Sequence, residues 1–174
     1  MNCLVRNDFV GCVMEKDSKT ATGGCQCGAV RFEASRRLTG AFICHCRMCQ
    51  RSTASAFSVT TLYPRDAVKL TGDILWYASS DIADRGFCPN CGTSVAIRYH
   101  PPAWSGWYAM SVTTHDDPES IPAEGHTGVE SKLSWLNVDD GLPCMTYPET
   151  FLEDIGADDN KIFHLVNEMS AREP

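Results

Sequence analysis

The sequence predicts a mainly β domain. Three observations carry this reading. Its apolar residues fall in short runs rich in β-branched and aromatic side chains. Gly and Pro turns interrupt those runs at close intervals. A helical period stands out in one place, near the C-terminus.

Residues 1–21 show no periodic pattern and are expected to form an N-terminal tail, with Met14 as an alternative translation start. AVRFEA, residues 29–34, alternates: Val30 and Phe32 take one parity, Ala29, Arg31 and Glu33 the other. SAFSVTTLY, residues 55–63, is β-branched and aromatic. VKLTGDILWY, residues 68–77, reads as two strands around a Thr71-Gly72-Asp73 turn. TSVAIRY (93–99) and GWYAMSV (106–112) are two more strands, separated by the Pro101-Pro102 breaker. The domain is expected over residues 22–150, with 151–174 as a C-terminal extension. There Ile162, Leu165, Val166 and Met169 recur at helical spacing behind Asp158 and Asp159 as caps. The expectation is a short amphipathic helix whose apolar stripe packs; a stripe that binds a partner is the alternative.

A chain of 174 residues with 43 % hydrophobic content is long enough for one domain with a real core. Its net charge of −7 argues against a phosphate-backbone binder, which needs a basic face. No run of about 18 apolar residues is present, so no membrane span is expected. Residues 1–13 lack the apolar stretch of a secretory signal, and the chain reads as cytoplasmic. In that compartment thiols stay reduced, and clustered cysteines more often bind metal.

Seven of the ten cysteines stand in three tight groups. Cys88 and Cys91 have the C-x-x-C spacing of a zinc knuckle, and Gly92 relieves crowding at the turn. Cys25 and Cys27 are alternate residues of an extended segment and share one side. Together these four thiolates suit a closed, structural zinc site; a redox pair or ordinary buried thiols are the alternative. Cys44, Cys46 and Cys49 combine C-x-C and C-x-x-C spacing and can converge on a second zinc. His45 is a tempting fourth ligand, yet on extended backbone it points away from its neighbours. It is then an outer partner or a surface histidine. Three ligands and an open position mark a chemically active zinc; a second closed site, completed by His45 or a distant residue, is the alternative. Cys3 and Cys12 fall in the tail, and Cys144 reads as a small buried apolar residue.

GGCQCGAVRFE, CHCRMCQRSTASAF, RGFCPNCGTSVAIRY and HTGVESKLSWLNVDDGLP carry a resemblance over residues 22–147. The chain resembles the glutathione-dependent formaldehyde-activating enzyme family, which includes the centromere-protein-V-like proteins. That resemblance implies the Mss4-like fold, small antiparallel β-sheets pinned by zinc. It implies two zinc ions per chain: a structural one on Cys25, Cys27, Cys88 and Cys91, and a catalytic one on Cys44, Cys46 and Cys49. Where members often carry Cys-Arg and a later Gly-Ser, this chain has Cys49-Gln50-Arg51 and Ala54-Ser55.

Three thiolates give zinc a net charge of −1, so this centre is a weak Lewis acid and suits a soft thiol better than water. Coordination would deprotonate that thiol. The resemblance supplies the candidates: glutathione as co-substrate, formaldehyde as the small electrophile, and a carbon–sulfur lyase run in the forming direction. A fourth thiolate takes the site to −2. Arg47, Arg51 and Lys132 are then candidates to offset charge or hold a glutathione carboxylate; each is otherwise a solvated cation. Trp135 is expected in the core, with ligand stacking as the alternative, and His126 is either a proton shuttle or a structural histidine. The competing readings are a different lyase reaction at the same zinc and a non-catalytic, zinc-stabilised protein-binding module.

Overall fold

A computed structural model describes residues 19–101 and 106–146. Eleven strands and one α-helix follow in chain order. They are β1 (Ala21–Gly24), β2 (Arg31–Ala34), β3 (Ala41–Cys44), α1 (Arg47–Thr53), β4 (Ser58–Pro64) and β5 (Val68–Thr71). Then come β6 (Leu75–Ser80), β7 (Ala83–Phe87), β8 (Ser94–Tyr99), β9 (Trp107–Ser111), β10 (Ala123–Thr127) and β11 (Cys144–Met145). The mainly β expectation is borne out. The C-terminal helix, Cys3 and Cys12 lie outside the described residues.

Two sheets form. The smaller has the order β1-β2-β5 and is antiparallel. The larger runs β11-β10-β3-β4-β9-β8-β7-β6. Its pairings are antiparallel from β3 to β6, but β10 runs parallel to both β3 and β11. The sheets are therefore less uniform than a set of small antiparallel ones. Parallel neighbours need a long crossover, and here it is the chain between β3 and β10. That pairing sets His126 opposite Ile43 and Thr127 opposite Cys44.

The alternation in residues 29–34 does what its pattern predicts. Phe32 and Ala34 are buried, while Arg31 and Glu33 face solvent. Val30, Phe32 and Ala34 meet Tyr63, Val95, Ala96 and Met110 of the larger sheet in one core. Full burial of each large apolar side chain there stabilises by about 1.5–3 kcal/mol. The Thr71-Gly72-Asp73 turn is present, but it is not a hairpin: β5 and β6 enter different sheets. Gly72 has φ +86°, and a Cβ on it would lie 1.9 Å from the Ala29 carbonyl oxygen. Only glycine fits that approach.

Helix α1 was not expected from the strand-like pattern. Arg, Met and Gln are good helix formers. The Cys46 sulfur caps the helix by accepting from the Cys49 N–H at 3.4 Å. It ends at Ala54, which takes the left-handed conformation at φ 50°, ψ 39°. Trp135 is corrected: it is 73 % exposed. Its segment is a run of turns with no strand partner, so Leu133 and Leu136 take the half-buried positions instead. Among the described residues no helix is long and apolar enough to cross a membrane.

Candidate functional site

Two sulfur clusters stand apart in character. In the first, Cys25 follows β1, Cys27 sits in the turn before β2, and Cys88 and Cys91 flank the turn between β7 and β8. The four sulfurs lie within 4.8 Å of one another. Cys25 and Cys27 are 3.5 Å apart, and Cys27 and Cys88 are 3.8 Å apart. Tetrahedral zinc with bonds of about 2.3 Å sets its sulfurs about 3.8 Å apart. The donor set and spacing fit that ion. The backbone supports the cluster. Val30 N–H donates to the Cys25 sulfur at 3.2 Å, and Gly92, at φ +74°, closes the turn with a bond to the Cys88 carbonyl. The Thr93 hydroxyl, 3.2 Å from the Cys91 sulfur, leads in lowering that thiol to about 5.

The second cluster is local. Cys44 ends β3, Cys46 caps α1, and Cys49 lies in the first helical turn. Cys44 and Cys46 are alternate positions on extended backbone and share a side. The helical turn then returns Cys49 to them. Their three sulfurs lie within 4.8 Å of one another. Among the described residues no fourth His, Cys, Asp or Glu joins the group. This donor set also fits a thiophilic metal such as zinc, with a coordination position left over. The three thiols share charge unequally. Hydrogen bonds from Cys44 and Cys46, then the charge of Arg85, hold Cys49 well below the usual thiol range, while Cys44 is pushed up by Cys46.

His45 does not enter the sulfur group, and it is not a surface residue either: it is fully buried. Its Nε2 lies 2.9 Å from Nδ1 of His126, whose Nε2 lies 3.0 Å from the Asp140 carboxylate. Asp140 can only accept, so His126 carries its proton on Nε2. His45 then donates to the bare Nδ1 of His126. That leaves Nδ1 of His45 buried and without a partner. Burial, then His126 and Lys132, lower His45 to about 4, so it is neutral at pH 7.

The predicted cations scatter. Arg47 bonds the Gln50 side chain, whose amide donates to the carbonyls of His45 at 2.6 Å and Ser131 at 3.0 Å. Lys132 lies at the end of the Val129–Ser131 turn, near His45. Arg51 lines a cavity of about 440 Å³ together with Met48, Tyr77, Arg85, Phe87 and Ser94. The cation that lies against the cluster is one that spacing and motif did not single out. Arg85 is buried, and its Nη2 lies 3.9 Å from the Cys49 sulfur. Tyr99 is near as well: burial, then the Cys49 thiolate, push its phenol above the usual range. One signal for Arg85 was its place three residues before Cys88, inside a stretch that carries the resemblance.

Comparison with known proteins agrees with the motifs. The profile described as glutathione-dependent formaldehyde-activating enzyme matches residues 20–130, which include all seven clustered cysteines. An uncharacterized lyase of Schizosaccharomyces pombe is 32 % identical over 77 residues, 44 % of this chain. The match spans 56 % of that relative's length, so the chain covers about half of it. A crystal structure of a Rhodobacter sphaeroides protein covers 72 % of this chain and 99 % of its own, at 20 % identity and a TM-score of 0.45. The profile match takes in well over half of the sequence, and the chain belongs to the glutathione-dependent formaldehyde-activating enzyme family.

Proposed function

We propose that this chain is a lyase-type enzyme that forms a carbon–sulfur bond between a small thiol and a small carbonyl electrophile, with glutathione and formaldehyde as the leading pair. The observation that carries the reading is the three-cysteine cluster, which no fourth protein ligand joins among the described residues. Zinc held there would supply an open position at which a thiol loses its proton. Cys25, Cys27, Cys88 and Cys91 would hold the second ion, with a structural role. The family membership and the lyase name of the yeast relative support the reaction class.

In the reaction the thiolate sulfur bonds to the carbonyl carbon. The carbonyl π pair moves to oxygen, and oxygen takes up one proton, matching the one the thiol released. The chain's own residues arrange the space. Cys44, Cys46 and Cys49 are ordered by the junction of β3 and α1. Gln50 ties that junction to the turn after β10 through its two carbonyl partners. The His45–His126–Asp140 chain fixes the orientations of two buried rings, one of them between Cys44 and Cys46 in sequence. Arg85, beside the Cys49 sulfur, also borders a cavity of about 440 Å³ that none of the three cysteines lines.

The test is exchange NMR on formaldehyde and glutathione with the zinc-loaded protein. Acceleration of S-hydroxymethylglutathione formation, lost in Cys49→Ser, is the expected result. A rate equal to the spontaneous one would remove this pair and favour another lyase substrate or a non-catalytic module.

A further inference from the structure

The buried arginine poses a charge question that the cysteines answer. Arg85 is 7 % exposed. A guanidinium stays charged in proteins, and burying a charge without an opposite one is very unfavourable. Its sequence neighbour Asp84 cannot serve. Adjacent strand residues face opposite sides, and Asp84 already pairs with Arg98 at 2.7 Å and His100 at 3.0 Å. Among the described residues no carboxylate forms an ion pair with Arg85. Its Nη1 meets only the neutral Ser79 hydroxyl, and its Nε has no partner. The remaining contact is Nη2 to the Cys49 sulfur, at 3.9 Å.

We propose that Arg85 is the built-in counter-cation of the three-cysteine site and makes its open position selective for an anionic thiolate over a neutral donor. This rests on the function proposed above. Three thiolates and one divalent ion sum to −1, and Arg85 brings the site to zero. An incoming thiolate then leaves −1; without the arginine it would leave −2. A neutral donor adds no charge in either case. Removing the guanidinium therefore penalises the thiolate and spares the neutral ligand. The attraction between opposite charges a few ångströms apart at a partly buried site is worth about tenfold or more in affinity, by an order-of-magnitude Coulomb estimate. Arg85 also borders the 440 Å³ cavity, which none of the three cysteines lines, so its side chain lies between that space and the Cys49 sulfur. Arg51 lines the same cavity but is exposed, so its charge is screened by water.

The experiment uses the full chain loaded with cobalt, read by its sulfur-to-cobalt absorption. Two probes are titrated: 2-mercaptoethanol, which carries no carboxylate, and imidazole, a neutral donor. The variants are Arg85→Gln, which keeps a hydrogen-bonding group, and Arg85→Lys, which keeps the charge. The expected result is a loss of tenfold or more in thiol affinity for Arg85→Gln, with imidazole changed by about twofold or less. Arg85→Lys should recover most of the thiol preference. Equal losses for both probes, or no loss for either, would overturn the role of Arg85 alone. A wild-type protein that takes imidazole but no thiol would overturn the proposed function as well. Should Arg85→Gln fail to fold, Arg85→Lys decides: a retained thiol preference supports the role, and an equal loss of both ligands defeats it.

Discussion

The four-cysteine and three-cysteine clusters use the same side chain for different ends. The first joins parts of the chain that are far apart: Cys27 and Cys88 are separated by 61 positions. It fastens the β1–β2 connection of the small sheet to the β7–β8 connection of the large one. Its surroundings are simple, with Cys27 exposed and the backbone supplying most of the bonds. The second cluster spans six consecutive positions and holds no distant elements together by its own sulfurs. Yet buried polar groups crowd it: His45, Gln50, Arg85 and His126 are all buried. Burying such groups costs free energy unless every one is partnered. Buried polar groups gather around the second cluster more than around the first, and this contrast supports the proposed division between a chemical site and a structural one.

The sharpest way to break this contrast is to remove one cysteine from each side. Cys88→Ser should abolish cooperative folding at ordinary temperature. Structural zinc contributes folding free energy on the order of 10 kcal/mol, comparable with the whole stability of a domain. Circular dichroism melts of the purified variant check it. Cys49→Ser should keep a cooperative melt, lowered by about 2–8 °C, while one metal equivalent is lost. Equal collapse of both variants would mean that the second site is scaffolding too.

Smaller effects sharpen the comparison. His126→Phe should destabilise by about 1–3 kcal/mol, because it strands Asp140 and the Nε2 of His45. Urea unfolding measures it, and a change under about 0.5 kcal/mol would show that the hydrogen-bonded chain carries no net energy. Ala54→Gly should stabilise by about 1 kcal/mol. Ala54 holds a left-handed conformation at the end of α1, and glycine is at ease there.

A last, mild effect lies away from both clusters. His115 packs its ring edge against Phe32 and bonds the Tyr63 hydroxyl. Burial lowers its pKa below the usual histidine value. The unfolded chain then takes up the proton first as pH falls. Stability should be fully present above about pH 6.5 and decline below it, until the folded form also titrates. His115→Gln should flatten that part of the pH profile, as urea unfolding at pH 7.5 and 5.5 would show.

Much of this was legible in the residues. Alternation in 29–34 gave the buried face of β2, and the spacing of seven cysteines brought out two ligand sets before any geometry was known. What stayed hidden depends on long-range pairing. β10 lies parallel to β3 across some 80 positions, and no local pattern encodes that register; without it His126 cannot be set against His45. β7 reads ADRGF, two charges and a glycine, which looks like a loop. Both charges are buried only because β6 and β8 flank the strand. Helix α1 was masked because its residues double as the cysteine motif. Trp135 misled in the other direction, since aromatic character alone does not say whether a turn will cover it.

The central claim is that the chain holds two metal ions of different kinds, and timed chelation tests it most directly. Protein reconstituted with zinc is mixed with a chelating indicator while circular dichroism follows the fold. Two equivalents of zinc per chain are expected. One should leave quickly with the spectrum unchanged, and the other slowly, together with loss of structure. A total that stays at one equivalent or below, or two ions that leave in a single phase as the fold collapses, would contradict it.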